Sequence, residues 1–139
     1  MDQNRNEKVE DNLKVNAGEF AIFVFEVGQG DSQLIVFPSG YTIFIDASEA
    51  NWNTGKTAQS VADKVFRILG RRNIDVGVVT HLHLDHMGYR NYGGFWALVE
   101  KHGFSFGKLI DRDAGRWVDR NNDGVCDPDT GKHTLKLLK

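Results

Sequence analysis

Residues 78–88 read VVTHLHLDHMG, placing three of the chain's five histidines, His81, His83 and His86, with Asp85 inside six positions. Side chains of an extended chain alternate between faces, so His81, His83 and Asp85 are expected to point one way and Leu82 and Leu84 the other, into a core. His86 joins the same site if the chain turns at Met87-Gly88. Imidazoles with a carboxylate are the donor set of zinc and related metals, with bonds of about 2.0–2.2 Å. A lone histidine is more often a core residue satisfied by backbone, but donors alternating with leucines point to metal. The four donors are too crowded in sequence to close around one ion. They predict two adjacent divalent metals, each needing ligands from elsewhere.

These donors must be held by elements legible on either side. Residues 1–17 are polar and read as a mobile arm, leaving 18–139 as the domain. EFAIFVFEV, 19–27, is dense in Phe, Ile and Val and predicts a strand buried on both faces. GQGDS breaks it, SQLIVF (32–37) is the next strand, Pro38-Ser39-Gly40 supplies a turn, and YTIFID (41–46) returns, completing a β-meander. Val61, Val65, Ile68 and Leu69 fall on one face of a helix over 57–70 closed by Gly70. VGVVT (76–80) predicts a short buried strand ending at the histidines. A second helix is expected over about 94–102, with Phe95, Leu98 and Val99 on one face, and a strand over 107–111. Strands come first and helices then alternate with strands. This predicts an α/β class, an α+β arrangement of mixed sheet with helices over a face. The histidines then lie at the carboxyl end of a strand, where such sheets place their chemistry.

Composition narrows the function classes. The 139 residues fit one domain, and 17 basic residues against 19 acidic ones leave a net charge of −2. Such a balance gives no global attraction for nucleic acid or anionic membrane. The single cysteine, Cys126, excludes an internal disulfide and a cysteine metal cluster. No apolar run has the length of a membrane span, and the first residues lack a signal-peptide core, so the expectation is a cytoplasmic protein.

THLHLDHMG resembles the HxHxDH signature of the metallo-β-lactamase superfamily. The earlier FEVGQGDSQLIVFPSGYTIFIDAS resembles the opening of its ComEC-like branch, the hydrolase domain of competence proteins and their free-standing relatives. The likeness covers about residues 19–113. Two positions depart from the pattern: Ala47-Ser48 follow Ile45-Asp46 where the family has an IDxG-like strand end, and Gly88 is followed by Tyr89 rather than a second glycine. The resemblance implies an αββα sandwich whose first half is this chain. It implies that His81 and His83 bind one metal and Asp85 and His86 a second, zinc foremost, with manganese and iron also found in the family. A hydroxide between the ions would be the nucleophile, held in line by Asp85, the catalytic residue. The resemblance further makes Asp46 the aspartate that steadies the histidine loop from behind the ligands. Gly28 and Gly30 read as positions of positive φ or close approach, and Asp31 faces the site from that turn or is a plain turn residue.

A second constellation, DRNNDGVCDPDTG (119–131), spaces Asp119, Asn121 and Asp123 as alternate oxygen ligands, with Gly124 at the sharp turn, the Val125 carbonyl next and Asp127 at the ninth position. Thr130 stands where an EF-hand has its bidentate glutamate. The pattern predicts a calcium-loop-like insertion of the short DxDxDG kind, against a plain acidic surface loop. His102 reads as a helix-end residue, His133 as a tail residue, Trp96 as core and Trp52 as a loop residue near the site mouth. Lys64, Arg67, Arg71 and Arg72 read as a solvated face.

The leading functional expectation is a metal-dependent hydrolase of phosphodiesters, DNA or nucleotide, a choice that rests on the family resemblance. The same hydroxide could instead open lactam, lactone or thioester bonds. The non-enzyme alternative is a calcium-stabilised binding module with an inactive metal site. The family completes its metals with a later strand-end aspartate and a further histidine. Neither is found after His86 in a matching context. A missing C-terminal half or a partner chain is therefore expected to complete the site and to cover the first strand.

Overall fold

The computed structural model describes residues 13–47, 56–81, 83–88, 93–111, 117–118 and 127–128. Strands β1 (Ala21–Val24), β2 (Ser32–Val36) and β3 (Thr42–Ala47) are followed by helix α1 (Lys56–Leu69) and strand β4 (Asn73–Val79). Two further helices, α2 (Leu84–Met87) and α3 (Gly94–Glu100), precede β5 (Ser105–Asp111). Two-residue strands β6 (Trp117–Val118) and β7 (Asp127–Pro128) form a separate antiparallel pair.

The main sheet has five strands in the order β1-β2-β3-β4-β5. The first three form the antiparallel meander expected from the turn residues between them, whereas β3, β4 and β5 run parallel. Parallel neighbours need a crossover, and the helices supply it: α1 links β3 to β4, and α2 with α3 links β4 to β5. The fold is thus α+β with a mixed sheet.

Strict alternation builds the core. Along β2 and β3 buried and half-buried positions alternate, so Leu34, Val36 and Phe44 share the face on which Val61, Ala62, Val65 and Ile68 of α1 and Phe95 and Leu98 of α3 pack. Phe44 and Phe95 meet edge to face with ring centroids 6.0 Å apart. α3 buries Gly94, Phe95, Trp96, Ala97 and Leu98 in succession, so nearly its whole circumference is covered there, and of the three residues expected on its inner face only Val99 is exposed.

The adjacent parallel strands β3 and β4 are tied at both ends by a threonine–aspartate pair. At one end the Thr42 amide and hydroxyl donate to Asp75 Oδ2, at 2.8 and 2.7 Å. At the other, the Thr80 amide donates to Asp46 Oδ1 at 2.8 Å and its hydroxyl to Asp46 Oδ2 at 2.7 Å. These side-chain bonds fix the register where the ladder itself ends.

Two expectations are corrected here. The first strand is not buried on both faces: Ile22 is 54 % and Val24 72 % exposed, because β1 is an edge strand and the helices cover only its other side. The solvated arm does not extend to residue 17, since Leu13 and Val15 pack against the core. Residues 1–12 lie outside the described residues. Among the described residues, no helix is long and apolar enough to cross a membrane.

Candidate metal centre

The histidine segment leaves the carboxyl end of β4 beside the carboxyl end of its parallel neighbour β3. It does not continue as a strand. The amides of His86 and Met87 both donate to the His83 carbonyl, at 3.0 and 2.9 Å, and wind Leu84–Met87 into one helical turn. The expected strand-like alternation therefore fails at Asp85. Asp85 and His86 return to His81 through a helical turn, and that turn brings His86 into the site. The turn begins at His83, earlier than expected, and its exit is Gly88 at φ +83°. A Cβ at Gly88 would collide with the Gly93 and Gly94 backbone, so this crossing of α2 and α3 needs glycine.

Ligand atoms of His81, Asp85 and His86 lie within 4.8 Å of one another. The rings of His81 and His86 are 3.7 Å apart at their centroids, and His86 Nε2 is 3.9 Å from Asp85 Oδ2. The latter distance is too long for a hydrogen bond. It falls within the span of about 4.2 Å open to two donors sharing an ion at 2.0–2.2 Å each. His83 stands beside His81, edge to face at 4.7 Å, exposed and outside this trio.

Asp46 is the hub beneath these side chains. It is 2 % exposed and has φ +52°, the left-handed region, which aspartate tolerates better than most residues. Its Oδ2 lies 2.9 Å from His86 Nδ1 and accepts the Thr80 hydroxyl. Thr80 Oγ1 has one proton, committed to that carboxylate, so it must accept at its other contact, His81 Nδ1 at 3.0 Å. Both imidazoles are thereby held as Nδ1–H tautomers, with the Nε2 lone pairs left for a ligand. A carboxylate or hydroxyl behind each ligand ring is what orients a metal-binding histidine.

Asp31 is exposed, with Oδ2 4.0 Å from His86 Nδ1. Asp31, Asp46 and His86 also place ligand atoms within 4.8 Å of one another, but Asp46 already serves Thr80 and the imidazole. Asp31, Asp46 and Asp85 put three carboxylates around one imidazole, a local excess of negative charge suited to a cation. The donor set, ring tautomers and charge all fit a divalent transition metal.

The positive φ expected of the GQGD turn is present at Gly28 (+78°) and Gly30 (+93°). Two residues of the site escaped the sequence reading as individuals. Thr80 stood only as the last residue of a strand, and Gln29 only as part of a turn. Nothing local in sequence signals a bond from Gln29 to Asp85, 56 positions on.

The calcium-loop expectation rests on Asp119, Asn121, Asp123 and Val125, which lie outside the described residues. Asp127 opens β7, whose backbone pairs with Val118. Trp96 is core at 1 % exposure, as expected. Trp52 and His133 lie outside the described residues. His102 follows α3, half-buried, and burial lowers its pKa from the usual value. No protein-family model, curated protein or solved structure matches the chain.

Proposed function

We propose that this chain is the metal-binding half of a metallo-β-lactamase-type hydrolase that cleaves phosphodiesters, with His81, His83, Asp85 and His86 as ligands of a two-metal centre. One observation carries the reading. The Asp46–Thr80 hub imposes Nδ1–H on two separate histidines and leaves both Nε2 atoms uncommitted by it, that of His86 lying 3.9 Å from Asp85 Oδ2. Polar loop residues with no ligand to hold would gain nothing from that shared constraint.

When bound, divalent metals would lower the pKa of water toward about 7 and polarise the scissile group. The residues of the chain do the rest. His81 and His86 present fixed lone pairs. Asp85 supplies charge and an acceptor oxygen that can orient a nucleophilic water. Asp46, buried and multiply bonded, keeps the rings from rotating. Among the described residues, the exposed His83 and Asp31 beside the site support access by a chain-like substrate such as DNA or a nucleotide.

The test is elemental analysis of protein reconstituted with zinc or manganese, together with turnover of bis-p-nitrophenyl phosphate. His81→Ala and Asp85→Ala should each lose bound metal while circular dichroism stays unchanged. Unchanged metal content in both variants would overturn the site. Cleavage of a chromogenic lactam without any phosphodiester turnover would overturn the choice of substrate.

A further inference from the structure

The turn between β1 and β2 lies at the end of the sheet where β3 ends, and the side chain of Gln29 within it contacts a ligand of the proposed centre. Gln29 sits between Gly28 and Gly30, both at positive φ, and its Nε2 donates to Asp85 Oδ2 at 3.4 Å. That oxygen is the one 3.9 Å from His86 Nε2. Gln29 therefore bonds the very oxygen that faces the open imidazole nitrogen.

We propose that Gln29 is a positioning residue of the metal centre, holding Asp85 Oδ2 in line with His86 Nε2. The inference rests on the two-metal reading above. Its physical basis is the difference between the ligands. His81 and His86 have their rings fixed from behind by Thr80 and Asp46. Asp85 lies on a helix of only four residues and is half-buried. Its carboxylate can rotate about χ2, a broad torsion. A donor on one oxygen reduces that freedom and leaves the second lone pair of the same oxygen for an ion. Gly28 and Gly30 permit the left-handed turn that carries Gln29 to Asp85. The contact also spans 56 positions and ties the first hairpin to the histidine turn. The order of β1 and β2 thus becomes part of metal binding.

The experiment is a cobalt(II) titration of the wild type, Gln29→Met and Gln29→Ala. It is followed by the cobalt absorption bands and by competition with a chromophoric chelator. Gln29→Met keeps the length of the side chain and removes the donor, so it separates the hydrogen bond from bulk. Both variants are expected to bind the equivalent held by Asp85 and His86 at least tenfold more weakly, the usual scale for an outer partner of a ligand. The cobalt bands of that equivalent should shift, while thermal midpoints stay unchanged. Equal affinities and identical spectra in wild type and Gln29→Met would overturn the role of Gln29 alone. A wild-type chain that takes up no cobalt would overturn the metal reading on which it rests.

Discussion

Asp46 combines three costs in one residue: a buried carboxylate, a left-handed backbone, and a position at the end of an otherwise regular strand. A non-glycine residue held in that region costs on the order of 1–3 kcal/mol. It persists because the Thr80 amide, the Thr80 hydroxyl and the His86 ring all bond the same carboxylate. The Thr80 hydroxyl thereby links Asp46 to the His81 ring, and the proposed metal affinity should depend on it. Thr80→Val should lower metal affinity by roughly 10- to 100-fold, whereas Thr80→Ser should stay near wild type. Competition with a chromophoric chelator measures both. Equal affinity for Val and wild type would mean that the His81 tautomer is set by something other than this hydroxyl. Part of the hub was legible in sequence: Asp46 at its strand end and Thr80 before the first histidine both stood in recognisable positions. The bond between them was not, because it joins residues 34 positions apart that meet only once β3 and β4 lie parallel.

Among the elements, the β3–β4 pair is the frame of the site, and its two threonine–aspartate ties divide the work. The Asp46 end meets the histidines, while the Asp75 end is structural. The hydrogen bond from the Thr42 hydroxyl is the largest influence lowering the Asp75 pKa below its ordinary 3.8, with the Thr42 amide and Arg71 adding to it against the opposing effect of burial. A carboxylate whose pKa is depressed on folding stabilises the native state above its unfolded pKa. That stability is lost as pH falls through the folded value. The wild type should therefore lose stability below about pH 4, and Asp75→Asn should flatten that part of the profile. Urea midpoints between pH 2 and pH 6 report the slopes. Parallel slopes for the two proteins would remove Asp75 from the acid response. The partially exposed position keeps the effect modest. In sequence, Asp75 had no distinguishing pattern, since a single polar residue inside VGVV-type strands carries no sign of its partner.

For the whole molecule, the second face of the sheet is the unusual feature. The paired rows Ile22, Ile35, Ile43, Val76, Lys108 and Val24, Gln33, Ile45, Val78, Ile110 run across it, and only Gln33 and the edge-strand Lys108 among these ten are polar. Ile22, Val24 and Ile110 are exposed, and Ile35, Ile43, Ile45 and Val78 half-buried. Sheets that face water on one side normally alternate apolar with polar residues. A contiguous apolar face of this kind marks an interaction surface. The chain should self-associate at micromolar concentration, and the double variant Ile22→Lys with Ile43→Lys should be monomeric with its helices intact. Sedimentation velocity distinguishes the two. A wild-type monomer at high concentration would show that this face needs no second layer.

By itself the sequence determined the types of β1–β5, α1 and α3, the three-stranded meander and the donor cluster, but not the helical turn α2 or the short pair β6–β7. Each is encoded locally, by period-two or helical apolar spacing, by turn residues, and by four chemically similar donors within one short stretch. Local periodicity also misled where context mattered. It showed that β1 is apolar on both sides but not that helices would cover only one of them. It likewise placed Asp85 on a strand face that a single helical turn replaces. Tertiary structure alone decided that β4 lies parallel to β3, that Asp46 and Thr80 therefore meet, and that Gln29 reaches Asp85. These are contacts between residues distant in the chain. Their partners are chosen by sheet order and register, which no short window of sequence contains.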